Sequence, residues 1–127
     1  MAFCRVSSKF KRLVNMSPAE IRAWAKDPRS KCASFQDTRD RLTKRQVWKG
    51  KLRLSLAELA GKPVSTWTDS DCEYAGRVVN FNTRHLGALK EHGCTYKEII
   101  SLLNWGHRPK SCAIPTKVCK KPHTPRS

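Results

Sequence analysis

Apolar residues recur at helical spacing in several stretches of this chain, and runs that alternate like a strand are poor by comparison. Ser17-Pro18-Ala19-Glu20 combines an N-cap serine, a proline at the first helical position and a glutamate that completes a capping box. The helix it opens, PAEIRAWAK, sets Ile21 and Trp24 on one face, and Asp27-Pro28 ends it because a residue before proline resists helical geometry. Ser34 followed by Asp37 predicts a second start, with Phe35, Thr38 and Leu42 along one side of residues 34–42. Leu54, Leu56, Leu59 and Ala60 mark a third, short helix stopped by Gly61 and Pro63.

Thr68 with Asp71 opens the longest helix, over residues 69–91. Its apolar side carries Ala75, Val78, Val79, Leu86 and Leu89, interrupted by Asn82 and His85, and Gly93 closes it. A further capping box, Thr95 to Glu98, begins YKEIISLLNW, whose aliphatic residues are dense enough to be largely buried. Gly106 and Pro109 end that helix, and three more prolines predict an extended or disordered tail. The fold class is therefore all-α: a small bundle of four or five short helices with basic, partly disordered N- and C-terminal arms. The boundaries follow as an arm over 1–16, a helical domain over 17–109 and a tail over 110–127. Residues 43–54 form a basic insertion, and pattern alone does not separate a loop from a helix extension there.

Charge changes this picture. The chain has 127 residues and a formal net charge of +16. Residues 1–16 contribute +4, residues 43–54 contribute +5 and residues 106–127 contribute +6, all without an acid. The remainder, holding every acid in the chain, nets +1. A nearly neutral body folds without strong self-repulsion while cationic segments attract a polyanion. Nucleic acid is the commonest such partner, because each neutralised phosphate releases a condensed counterion. Membrane spans are excluded for want of any apolar run of the needed length. The N-terminal stretch also lacks the apolar core of a secretory signal, so the expected location is intracellular: nucleoid or nucleus, or a virion.

The runs VNMSPAEIRAWAKDPRSKCASF, RVVNFNTRHLGAL and SLLNWGHRP resemble an uncharacterised family of small basic proteins of bacteria and large double-stranded DNA viruses. Some members of that family are labelled DNA-binding. The resemblance spans residues 13–109 apart from the insertion 43–54, and NWGHRP after an aliphatic helix is its most specific element. It implies a small helical protein with a nucleic-acid role and brings no catalytic residue.

Three groups of bases are the candidate phosphate contacts: Lys9, Lys11 and Arg12; then Lys44, Arg45, Lys49, Lys51 and Arg53; then Lys110, Lys117, Lys120 and Lys121. Arg77, Asn80 and Arg84 fall at i, i+3 and i+7 opposite the aliphatic stripe of the long helix, suited to a phosphate backbone or base edges. A solvated polar face explains that trio equally well. His107 and Arg108 would project beside the tail, with Trp105 and Gly106 as structural capping. Trp48 either stacks on an exposed base or enters the core.

Residues 84–105 read as a helix, a turn and a capped helix, but no recognition helix follows, so a plain helical hairpin is expected rather than a DNA-reading unit. Cys94, His107, Cys112, Cys119 and His123 crowd the last third, yet no Cys-x2-Cys knuckle is present and no metal or other cofactor is expected. Without a secretory signal disulfides are not the default; Cys112 and Cys119 are the pair that would join in an oxidised particle. Cys32 and Cys72 read as small buried apolar side chains.

No phosphate-binding glycine loop, nucleophile motif or close carboxylate pair points to an enzyme. His85, His92, Asn104 and His107 are residue types used by histidine-dependent nucleases, without the frame such a site requires. The expected function is nucleic-acid binding, DNA ahead of RNA, mainly through non-sequence-specific phosphate contacts. The second reading is a structural component of a viral particle, a minor capsid or internal protein whose basic arms bind acidic protein neighbours. Oligomeric state is left open.

Overall fold

A computed structural model of the protein describes residues 4–33, 42–48 and 50–119, with the side chain of Trp48 excepted. In chain order the elements are α1 (Ser7–Leu13), α2 (Pro18–Lys26), a 3-10 turn (Pro28–Cys32), β1 (Gln46–Trp48) and β2 (Lys51–Arg53). There follow α3 (Leu56–Gly61), a second 3-10 turn (Val64–Thr66), α4 (Asp69–His92) and α5 (Tyr96–Asn104). The architecture is a small helical bundle, as the pattern predicts, with a single two-stranded hairpin among the described residues. The helix predicted over 34–42 lies outside the described residues except for Leu42, which is buried.

The helix starts are set locally. Ser17 Oγ accepts from the Glu20 N–H and the Ser17 N–H donates back to Glu20 Oε1, while Thr68 and Asp71 repeat the arrangement at the start of α4. The third predicted box forms only half. Thr95 Oγ1 accepts from the Glu98 N–H, but the Glu98 carboxylate turns away and takes a 2.6 Å hydrogen bond from His85 Nδ1. That exchange ties α5 to α4 across the turn at Gly93.

Packing is centred on α4 and α5. Ile99, Ile100, Leu102 and Leu103 are buried, which makes 84–105 a helical hairpin whose second helix belongs to the core. Trp24 Nε1–H donates to Asn104 Oδ1 at 2.8 Å, and Asn104 Nδ2 donates to the Ser30 carbonyl at 2.9 Å. This buried amide satisfies partners on α2 and on the turn that follows it, and so fixes both against α5. Asn82, which interrupts the apolar stripe of α4, is fully buried and donates to the Trp105 carbonyl.

Three expectations are corrected. Residues expected as part of an N-terminal arm instead form α1, which packs along α4 with Phe10 completely buried and edge-on to Trp67, ring centroids 5.3 Å apart. Burying one such ring favours docking by roughly 2–3 kcal/mol, enough to hold a short cationic helix on the body. Within residues 43–54, Thr43 is helical with Leu42, and residues 46–53 form neither a loop nor a helix but the β1–β2 hairpin, paired Gln46↔Arg53, Val47↔Leu52 and Trp48↔Lys51. Gly50, at φ +76°, makes its two-residue turn possible.

The cysteines are the third correction. Cys4 joins Cys72, Cys32 joins Cys119 and Cys94 joins Cys112, with Cα separations of 5.7, 5.8 and 5.7 Å. Cys112 and Cys119 are therefore not partners of each other, and Cys32 and Cys72 are cross-linked rather than free apolar side chains. The topology is the reason: α1 lying along α4 carries Cys4 to the first turn of α4, and the tail crosses α5 to reach Cys32.

That tail has no helix or strand over 109–119, as its prolines predict, yet it is fastened to the body. Besides its two disulfides, its Pro115 carbonyl accepts from Arg29 Nη1 and its Lys117 carbonyl from the Tyr96 hydroxyl at 2.6 Å. Arg29 is itself held by Asp27 at 2.6 Å. Hydrogen bonding from the Arg29 side chain, ahead of its backbone N–H and its charge, lowers the Asp27 pKa below the ordinary 3.8. A depressed carboxylate stabilises the fold above its unfolded value and loses that contribution as pH falls through its folded value. Asp27→Asn keeps the capping oxygen and removes the charge. It is expected to lower stability at pH 7 by less than about 1 kcal/mol, since the pair is partly exposed. The difference should vanish near pH 2, as measured by urea unfolding at both values.

Candidate nucleic-acid interface

The hairpin stands on α4 by its inner face. Arg53 is buried, stacks its guanidinium 4.4 Å from the Tyr74 ring centroid and donates to Gln46 Oε1. Its place among the predicted phosphate contacts is therefore corrected: it anchors the hairpin. Lys44, Arg45 and Lys51 remain exposed. Lys49 and the side chain of Trp48 lie outside what the structure describes.

An open cleft of about 560 Å³ lies beside the hairpin, lined by Pro18, Arg22, Arg45, Leu54, Ala57, Glu58, Gly61 and Lys62. Gly61 is part of its wall because a Cβ there would stand 3.0 Å from Pro18 Cγ. Three cations meet in it, Arg22 from α2, Arg45 just before β1 and Lys62 just after α3. Glu58 and Asp71 offset two of them: Arg45 Nε lies 3.2 Å from Glu58 and Lys62 Nζ lies 2.8 Å from buried Asp71. Lys11 reaches the same edge, donating to the carbonyls of Ala60 and Lys62 at 2.9 and 3.1 Å. Burial lowers its pKa from the ordinary lysine value. Lys11 thus pins α1 to the loop after α3 rather than belonging to a free arm, while Lys9 and Arg12 on the same helix stay exposed.

The other predicted residues divide in the same way. Arg77, Asn80 and Arg84 all lie on the polar face of α4 away from its buried stripe, so the structure brings that row together as spaced. His107 Nδ1–H donates to the Leu13 carbonyl at 2.6 Å, a structural tie between the residues after α5 and the end of α1. Arg108 and Asn15 are joined by two hydrogen bonds between the Arg108 backbone and the Asn15 side-chain amide, and the exposed Arg108 guanidinium lies 3.6 Å from Glu20. Lys110 and Lys117 are exposed on the fastened tail. Lys120, Lys121 and His123 lie outside the described residues.

Sequence reasoning does not select Arg22 or Lys62. Arg22 sits on the polar face of α2 and Lys62 follows a helix stop, positions that carry no signal until the chain folds them around one cleft. The residue types of a nuclease have separate structural partners here: His85 with Glu98, His107 with Leu13, and Asn104 with Trp24 and Ser30. Among the described residues no group of three His, Cys, Asp or Glu is placed to hold a metal ion. No described helix is long and apolar enough to cross a membrane.

A family model described as a protein of unknown function, DUF3140, matches residues 9–103. The chain belongs to that family. No curated protein and no solved structure matches it. The DUF3140 match takes in α1 from Lys9 onward, the cleft, the hairpin and the α4 face, and ends inside α5. The tail that carries Cys112, Cys119, Lys110 and Lys117 falls beyond it.

Proposed function

We propose that this protein binds nucleic acid, DNA ahead of RNA, chiefly through phosphate contacts that do not depend on sequence. The observation that carries the reading is the acid-free segment 43–54, folded into a hairpin whose Lys44, Arg45 and Lys51 face solvent. The neighbouring cleft adds Arg22 and Lys62, and α4 adds Arg77 and Arg84. Fixed cations lose little freedom on meeting a phosphate backbone, and each contact made releases a counterion. The resemblance to small basic proteins, some labelled DNA-binding, supports the same reading.

Titration of a fluorescent duplex across a salt series tests it. Six to ten phosphate contacts give a log–log slope of about −5 to −9. Lys44→Gln with Lys51→Gln should make the slope shallower by about 2, since each contact carries about 0.9. A slope near zero at low protein concentration overturns the reading.

The three disulfides favour one other reading, a component of a viral particle whose basic surface meets acidic protein neighbours. Protein disulfides persist in oxidising settings, an exported protein or an oxidised particle, more than in a reducing cell interior. Trapping thiols with an alkylating reagent in acid-quenched native material tests that setting: no labelled cysteine is expected.

A further inference from the structure

The outer face of the hairpin is apolar where the charge around it gives no reason to be. Val47 and Leu52 are directly opposed across the two strands and are 68% and 61% exposed. On the inner face Arg53 is buried on Tyr74 and bonded to Gln46. The strands are therefore held, and the apolar pair is presented rather than left to collapse. A surface of this kind fits a partner that is anionic at its edges and apolar in its middle.

We propose that the β1–β2 hairpin lies in the major groove of B-form DNA with Val47 and Leu52 against thymine 5-methyl groups. This rests on the nucleic-acid reading above and names its ligand. The major groove, about 12 Å wide, admits a two-stranded ribbon, and its floor offers one apolar group, the thymine methyl. A ribbon seated there places the cations flanking the pair, Lys44, Arg45 and Lys51, near the phosphates that line the groove. Double-stranded RNA fails both requirements: its major groove is deep and narrow, and uracil has no methyl.

The test compares a thymine-rich duplex with the same duplex carrying deoxyuridine at every thymine, which removes the methyls and leaves charge and pairing unchanged. Wild-type protein should bind the deoxyuridine duplex about fourfold more weakly for each methyl group that the hairpin covers, the equivalent of one buried carbon group. The variant Val47→Ser with Leu52→Ser, which leaves no side-chain methyl at either position, should bind both duplexes alike at the weaker affinity, with an unaltered circular dichroism spectrum. The wild-type comparison stands even where the variant folds poorly.

Equal wild-type affinity for the two duplexes overturns the proposal while leaving phosphate binding intact. Absence of binding to either duplex at low salt overturns the nucleic-acid reading itself. Two other occupants would also overturn it. One is an anionic vesicle of phosphatidylglycerol and phosphatidylcholine bound through the pair while DNA binding ignores it. The other is a second copy of the chain, seen as a dimer by sedimentation that the variant abolishes.

Discussion

Reduction of all three disulfides is expected to unfold the protein at room temperature. The bridges close loops with sequence separations of 68, 87 and 18 residues. Cross-links of this kind typically contribute about 2–4 kcal/mol each. Interlocked loops do not add strictly, yet a combined loss on the order of 10 kcal/mol rivals the whole stability of a domain this size, about 5–15 kcal/mol. Circular dichroism through a thermal ramp, with and without excess dithiothreitol, reads the effect. The reduced sample should lack a cooperative transition. A midpoint lowered by only a few degrees would show that the packed core suffices alone. Cys94 is exposed and its loop is the shortest, so timed alkylation should find the Cys94–Cys112 bridge opening first.

Gly106→Ala is expected to destabilise the protein by about 2–4 kcal/mol, combining left-handed backbone strain with overpacking. Gly106 has φ +81°, and a Cβ there would stand 2.9 Å from Val14 Cγ1, 3.4 Å from Leu56 Cδ2 and 3.6 Å from Ile21 Cδ1. Those three side chains come from the end of α1, from α3 and from α2, all buried, so none yields cheaply. The Gly106 carbonyl also accepts from the Met16 N–H at 3.3 Å, which draws the α1–α2 link onto the end of α5. A fall in the thermal midpoint of roughly 10 °C corresponds to that cost. Gly50→Ala serves as the control. It shares a positive φ, at +76°, but opens on empty space, so it should cost only about 1–2 kcal/mol of backbone strain. Equal midpoints for the two variants would remove the packing argument.

Much of the bundle is legible in the sequence because its signals are local. Ser17 with Glu20 and Thr68 with Asp71 announce helix starts within four residues, and Gly93 and Asp27-Pro28 announce ends. The trace of α1 is weaker: one deeply buried ring, Phe10, among Lys9, Lys11 and Arg12, reads as an arm until Trp67 is known to wait for it. The hairpin hides behind its lysines. Three-residue strands give the period-two pattern too little length, and only Lys49-Gly50 between Val47-Trp48 and Lys51-Leu52 carries a turn signal.

The candidate interface is legible in charge and not in geometry. Lys44, Lys51, Arg77 and Arg84 are readable as bases on polar faces. That Arg53, Lys11 and His107 are spent on holding the body together depends on Tyr74, Ala60 and Leu13, residues far away along the chain. The disulfides are out of reach for the same reason. An even cysteine number invites pairing, but which thiols meet is decided by how α1 lies on α4 and where the tail crosses α5.

The interleaving of the bridges has a bearing on biosynthesis. As the polypeptide leaves the ribosome, Cys4 and Cys32 emerge first, and neither is the other's native mate. Cys72 arrives next, but Cys32 stays unmatched until Cys119, which follows 87 residues later. Production in a host that offers oxidant without a thiol-shuffling catalyst should therefore accumulate wrongly stitched material, and late, post-release oxidation should give the better yield.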